Sequence, residues 1–192
     1  LHENLKEKYL EVNIESLTEE ESVLLIRNLL QQTNLPKEIN NLIIERAAGN
    51  PFFIEEVIRS LIDEGLIVIK DRQFIMTDKV QFANIPESVD KVILSRIERL
   101  DENTKELLKT ASAIGRNFYY KILEDAARNI EEIDSKLGYL KDVQLLNERK
   151  QKDEVEFLFK HALAQQATYD SIVEKSRKNL HQKIAGSIEK VF

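Results

Sequence analysis

Cysteine is absent from this 192-residue sequence, and that absence excludes several kinds of chemistry. Without cysteine the chain forms no disulfide, offers no thiolate to zinc and has no thiol nucleophile. Such a composition is typical of proteins in a reducing compartment, and we expect a cytoplasmic location. Stabilisation must therefore come from a packed core.

Glycine and proline are scarce, with 5 and 3 copies. So few helix breakers, beside abundant Leu, Ile, Glu and Lys, favour helices over sheets. No apolar run reaches the roughly 18 residues of a membrane helix, and no signal-peptide pattern opens the chain. We predict a mainly α protein with no membrane partner. The first residue is Leu1 and the last residues still have a helical pattern, so we expect both ends to lie within a longer polypeptide.

Catalytic and metal-binding patterns are also missing from the sequence. The three histidines, at positions 2, 161 and 181, form no close pair, and no Gly-x-x-x-x-Gly-Lys-Ser/Thr loop is present. The carboxylate runs are interpreted as solvated helix faces or N-terminal charges: Glu19–Glu21, Glu55–Glu56 and Glu131–Glu132. We therefore expect no enzyme activity and no metal site in this chain by itself.

Residues 18–82 have the pattern of a helical module that ends in a β-hairpin. Two β-rich runs, 66–69 and 73–76, enclose a polar turn and predict the hairpin. Helix starts are indicated by Thr18 with Glu21, by Pro36, and by Asn50 with Pro51. Before this module, residues 1–17 are expected to be the end of an upstream domain, with a short strand over Tyr9–Ile14.

Residues 83–160 predict a second module, which begins with a helix at Pro86. Further helices follow, one of them capped by Asp101, and then a strand over 143–146, a polar turn and a strand over 155–159. Three helices followed by a hairpin is the winged-helix order. Residues 161–192 are predicted as two closing helices that lead towards a downstream helical repeat region or output domain.

The run from Glu45 to Leu61, with Gly49-Asn50-Pro51 at its centre, resembles the lid signature of STAND-type signal-transduction ATPases. Three later stretches resemble the winged-helix module that follows the lid in that family: 85–89, 95–100 and 111–118. Residues 159–163 and 167–172 resemble the closing segment of that module. The nearest similarity is to the MalT-like ATPases and those associated with class III adenylate or guanylate cyclases. The resemblance implies a regulatory fragment whose upstream P-loop core binds ATP or ADP with magnesium.

The resemblance also implies roles for four residues. Pro51 would pack against the adenine, Gly49 and Asn50 would shape its approach, and His161 would contact the β-phosphate of ADP. From the residues alone, a structural role is equally available. Gly49 can end a helix, Asn50 and Pro51 can begin one, and His161 can be a satisfied core or capping histidine.

Two other functions remain open at this stage. A winged helix can bind DNA through its third helix, but residues 128–143 are slightly acidic and the net charge is −6, and both charges disfavour DNA as a partner. A basic group of side chains near the end of the chain is interpreted as a solvated helix face or an internal contact: Lys175, Arg177, Lys178 and Lys183. The third possibility is a helical scaffold for a protein partner.

Overall fold

The computed structural model describes residues 12–31, 33–151 and 154–192, and in them the protein is mainly α-helical with two small antiparallel sheets. The first half holds four α-helices and a hairpin. These elements are α1 Glu19–Leu29, α2 Lys37–Ala47, α3 Pro51–Asp63, β1 Ile67–Lys70, β2 Gln73–Met76, a 3₁₀ helix over Asp78–Phe82, and α4 Val89–Glu98.

The second half alternates helices with short strands. Its elements are α5 Glu102–Ile114, β3 Asn117–Tyr119, α6 Tyr120–Ala126, α7 Ile133–Asp142, β4 Leu146–Gln151, β5 Glu154–Phe159, α8 Ala162–Asp170 and α9 Glu174–Val191. The three strands form an antiparallel sheet in the order β3-β5-β4, with β5 in the middle. None of the described helices is long and apolar enough to cross a membrane.

Local capping chemistry determines where several helices begin, and those predictions are confirmed. Thr18 and Glu21 form the predicted capping box at α1. The side chain of Asn50 accepts from the amides of Phe52 and Phe53, and Pro51 is the first residue of α3. Asp101 accepts from the amide of Thr104 and begins α5.

Some predicted boundaries were wrong. Pro86 does not open a helix, because Ser88 caps α4 three residues before Lys91. Pro36 precedes α2 as its cap instead of being its first residue. Of the strand predicted over Tyr9–Ile14, the first part lies outside the described residues, and Val12–Ile14 is not a strand.

The hairpin strand predicted at 143–146 instead begins at Leu146, because residues 143–145 complete the end of α7. Gln144 has φ +57°, its amide donates to Lys141, and the amide of Leu145 donates to the carbonyl of Leu140 at 3.0 Å. This is a Schellman ending, with glutamine at the left-handed position that glycine usually occupies. The α3 ending has the same pattern, with Gly65 at φ +67° as its left-handed residue.

Helix α4 lies between two apolar cores. Val92 belongs to the core built from α1, α2 and α3, whereas Ile93 and Ile97 belong to the core of the second half. One helix therefore contributes to both halves, so contacts on α4 determine how α3 sits against the three-stranded sheet and α8.

Candidate functional site

The turn before α3 requires glycine at position 49. Gly49 has φ +76°, and its carbonyl accepts from the amide of Leu17 at 2.9 Å. A Cβ atom at this position would lie 2.3 Å from the Leu17 carbonyl oxygen, far inside van der Waals contact. The close approach therefore places the Asn50 cap and the exposed ring of Pro51 at the start of α3.

His161 lies against the first turn of α3. It follows β5 and immediately precedes α8, and its ring packs on Phe52 with centroids 4.0 Å apart and planes tilted by 34°. Nε2 of His161 is buried and has no hydrogen-bond partner among the described residues. An unsatisfied buried ring nitrogen costs free energy unless a ligand or water bonds to it.

The charges around His161 come from α3 and from its own neighbour. Burial lowers the pKa of His161 below its ordinary value of 6.5. Lys160 and Arg59 act in the same direction on this pKa, whereas the carboxylates of Glu56 and Glu55 oppose it. Burial therefore favours the neutral imidazole, and an anion beside the ring would favour its protonated form.

A buried ion-pair network lies farther along the same face of α3. The guanidinium of Arg96, from α4, bonds to the carboxylate of Glu56, to Asp63 Oδ2 at 2.9 Å and to the Val143 carbonyl at 2.6 Å. Arg96 is 3% exposed and Glu56 is 1% exposed. The interpretation of Glu55–Glu56 as a solvated pair was therefore wrong for Glu56, which α4 covers.

Two more cations lie close to this network, Arg59 on α3 and Lys160 next to His161. Arg59 Nε is 4.0 Å from Glu56 Oε1, and Lys160 Nζ donates to Gln144 Oε1 at 2.8 Å. Burial lowers the pKa of both Arg59 and Lys160. Basic and acidic side chains that are partly withdrawn from water therefore lie together here, with Arg59, Arg96 and Lys160 facing the carboxylates of Glu55, Glu56 and Asp63.

A cleft of about 340 Å³ opens beside this network. The apolar wall comes from α3 and the hairpin, including Ile58, Ile62 and Phe74, and the polar wall includes Arg59 and Gln144. It lies between α3 and the segment after α7, so any change in how these two elements pack would change its shape.

The structure brings together some of the predicted site residues and assigns others a structural role. Pro51 and His161 both adjoin Phe52, the first by sequence and the second by ring contact. Gly49 lies against the backbone of Leu17, and the side-chain oxygen of Asn50 accepts the amide hydrogen bond that caps α3. Among the described residues, no group of three or more His, Asp or Glu could hold a metal.

Sequence reasoning missed Arg96, Glu56 and Asp63 as parts of this junction. A signal was present, because Arg96 falls on the predicted apolar stripe of α4, three residues after Ile93 and four before Leu100. An arginine on the buried face of a helix is almost always paired.

The basic side chains that could favour nucleic acid are largely engaged within the chain. Arg177 donates to the carbonyls of Ile172 and Asp170 and lies over the ring of Tyr169 at 4.6 Å. Lys183 donates to Asn129, and Lys141 of α7 pairs with Glu148 of β4. Lys141, Arg177 and Lys183 are therefore held in contacts within the chain.

Comparisons with known proteins give two partial similarities. Residues 18–74 match a family described as a domain of unknown function (DUF8739). Over 100 residues the chain is 27% identical to Hybrid signal transduction histidine kinase G of Dictyostelium discoideum, a match that covers 47% of this chain. The chain spans 3% of that protein's length, so the kinase's activity does not transfer to it.

Proposed function

We propose that this chain is the regulatory lid and winged-helix part of a signal-transduction ATPase, which couples the ATP or ADP state of an upstream P-loop core to an output domain. In this proposal residues 18–82 are the lid, residues 83–160 the winged helix and residues 161–192 the closing helices. The chain has no catalytic group of its own in this role; it senses the nucleotide by closing on it.

One observation carries the proposal. His161 lies on Phe52, next to Pro51, and its buried Nε2 has no hydrogen-bond partner in the part of the chain that the structure describes. A phosphate oxygen near Nε2 would accept a hydrogen bond from the imidazole and offset part of the desolvation that lowers its pKa. The exposed Pro51 ring would offer a flat apolar surface to the adenine.

The arrangement of the second half also supports the proposal. The element order is α5, β3, α6, α7, β4, β5 and the strand order is β3-β5-β4, and we take helices followed by an antiparallel hairpin as support for the proposed winged helix. Strand β5 is followed by Lys160 and then His161, so a movement of the sheet relative to α3 would withdraw the imidazole from Phe52. Loss of that contact on nucleotide exchange would be the signal passed to the output domain.

Hydrogen exchange on the full-length protein, with and without ADP, tests this function. We expect ADP to slow amide exchange at residues 49–54 and 160–165 and to leave the β1–β2 hairpin unchanged. The hairpin is the internal control, because it contains none of the proposed nucleotide contacts. Slower exchange confined to the upstream core would contradict the proposal.

A DNA-binding regulator is the second candidate, and the winged-helix order is the observation that favours it. Its reading helix would be α7, whose Lys141 is paired with Glu148. Titrating the chain with labelled duplex DNA at several salt concentrations decides between the two. Tight, salt-dependent binding that is lost in Lys136→Glu would favour DNA; no binding at about 0.1 M salt is the expected result.

A further inference from the structure

A series of contacts connects Arg96 with His161 in two directions, through α3 and through residues 143–145. Arg96 joins α3, through Glu56 and Asp63, to the carbonyl of Val143. Two residues later, the carbonyl of Leu145 accepts from the amide of Lys160 at 3.1 Å.

The two residues that follow β5 connect residues 143–145 with α3. Lys160 Nζ donates to Gln144, and His161, the next residue, packs on Phe52 at the other end of the same α3 face. The segment 143–145 is therefore fixed on one side by Arg96 and bonded on the other side to the neighbour of His161.

The backbone of that segment is itself constrained. Gln144 is held at φ +57°, a left-handed conformation that is unfavourable for a non-glycine residue and persists only where surrounding contacts impose it. The contacts that impose it here are the Schellman bonds to α7, the Arg96 bond to Val143 and the Lys160 bond to the Gln144 side chain.

We infer that Arg96 is a positioning residue for His161: by binding Glu56, Asp63 and the Val143 carbonyl together, it holds the β5–α8 junction against α3 and keeps the imidazole on Phe52. The inference about position stands on the geometry alone. Its consequence for nucleotide retention rests on the proposed function.

Arg99 provides a matched control on the same helix. It follows the last residue of α4 and bonds to Ser60 and Glu64 at the end of α3, but its side chain is 36% exposed and, among the described residues, it makes no hydrogen bond or ion pair with residues 143–145. A variant at Arg99 therefore removes a contact between the ends of α3 and α4 and leaves the bonds of Arg96 to Glu56, Asp63 and Val143 in place.

The test is the NMR spectrum of the histidine rings in the folded chain. With only three histidines, the His161 signal is assigned by its loss in His161→Gln, and the Phe52 ring displaces it from its free position. We expect Arg96→Met to remove more than half of this displacement and Arg99→Met to leave it unchanged. Glu56→Gln keeps the shape of the network and gives a smaller shift in the same direction, which keeps the test available if Arg96→Met does not fold.

The inference is overturned if the His161 signal stays in place in folded Arg96→Met or in Glu56→Gln, or moves as far in Arg99→Met. Its functional consequence is measured separately, as ADP retained by the full-length Arg96→Met protein. A moved His161 signal with unchanged ADP retention would leave the positioning role intact and contradict the proposed function.

Discussion

The guanidinium of Arg96 and the carboxylate of Glu56 form an ion pair in which each side chain is only 2% exposed. Removing one partner of such a pair leaves the other charge buried without compensation, and this costs far more than the pair's net contribution to stability. The pair therefore acts more as a constraint on how α3 and α4 pack than as a source of stability.

The first prediction concerns stability at this pair. We expect Arg96→Met to lower the free energy of unfolding by about 3–5 kcal/mol, because Glu56 and Asp63 lose their common cation. Arg99→Met should cost about 1 kcal/mol or less, since its pair with Glu64 is substantially exposed. Urea denaturation of both variants measures the difference.

The same series contains its own check. In Glu56→Leu with Arg96→Met, the buried Glu56 charge is gone as well, so stability should recover part of the loss seen in Arg96→Met alone. If the loss of unfolding free energy in the double variant equals the sum of the losses in the two single variants, Glu56 and Arg96 do not interact.

The second prediction concerns Gly49. Gly49→Ala combines a left-handed backbone with a Cβ only 2.3 Å from the Leu17 carbonyl oxygen, so we expect a loss of more than about 2 kcal/mol. Gly65→Ala is the matched control, because its φ is similarly positive but nothing lies within 4 Å of its Cβ. It should cost about 1 kcal/mol, and equal losses in thermal denaturation would argue against the Leu17 approach.

The third prediction separates stability from function at Pro51. Pro51 is exposed at the first position of α3, where alanine is also a good residue, so Pro51→Ala should change stability by less than about 1 kcal/mol. ADP retention by the full-length protein should nevertheless fall. Pro36→Ala, which changes a proline at the start of α2, should leave retention at the wild-type level.

The fourth prediction is a pH dependence that originates at His161. Because burial holds the pKa of His161 below 6.5, the unfolded chain takes up this proton at a higher pH than the folded chain does. The free energy of unfolding should therefore fall as the pH drops below about 6.5 and should level off once the folded state is also protonated. The effect of Lys160 and Arg59 strengthens this trend, and Glu56 and Glu55 weaken it.

The control for this pH dependence is His161→Gln. Its unfolding free energy should depend less on pH below about 6.5 than that of the wild type, while the contributions of all other groups stay the same. Identical profiles for the two proteins would show that His161 does not titrate differently on folding.

The parts of the fold that could be predicted are those governed by neighbours in sequence. The Asn50 cap followed by Pro51, and the β1–β2 hairpin around a polar turn, depend on residues a few positions apart. The three-residue strand β3 was missed because it forms only by pairing with β5, about 40 residues later. Its sequence has no periodicity long enough to indicate a strand.

The candidate site follows the same division. The phase of β5 predicted that His161 points inward, and the half-buried ring against Phe52 is in accord with it. The partners of Arg96 could not be predicted, because Glu56 is 40 residues away and Val143 is 47 residues away. A buried ion pair depends on how helices cross, and that is determined by packing throughout both cores.

The measurement that tests the central claim most directly is the rate of ADP dissociation from the full-length protein, compared between wild type and His161→Ala. A charge-assisted hydrogen bond to phosphate contributes about 1.5–3 kcal/mol, so we predict dissociation that is roughly 10- to 100-fold faster in the variant. His181→Ala, which removes an exposed histidine bonded to Tyr169, should dissociate at the wild-type rate. Equal rates in wild type and His161→Ala would contradict the account, because the imidazole would then make no contact with bound nucleotide.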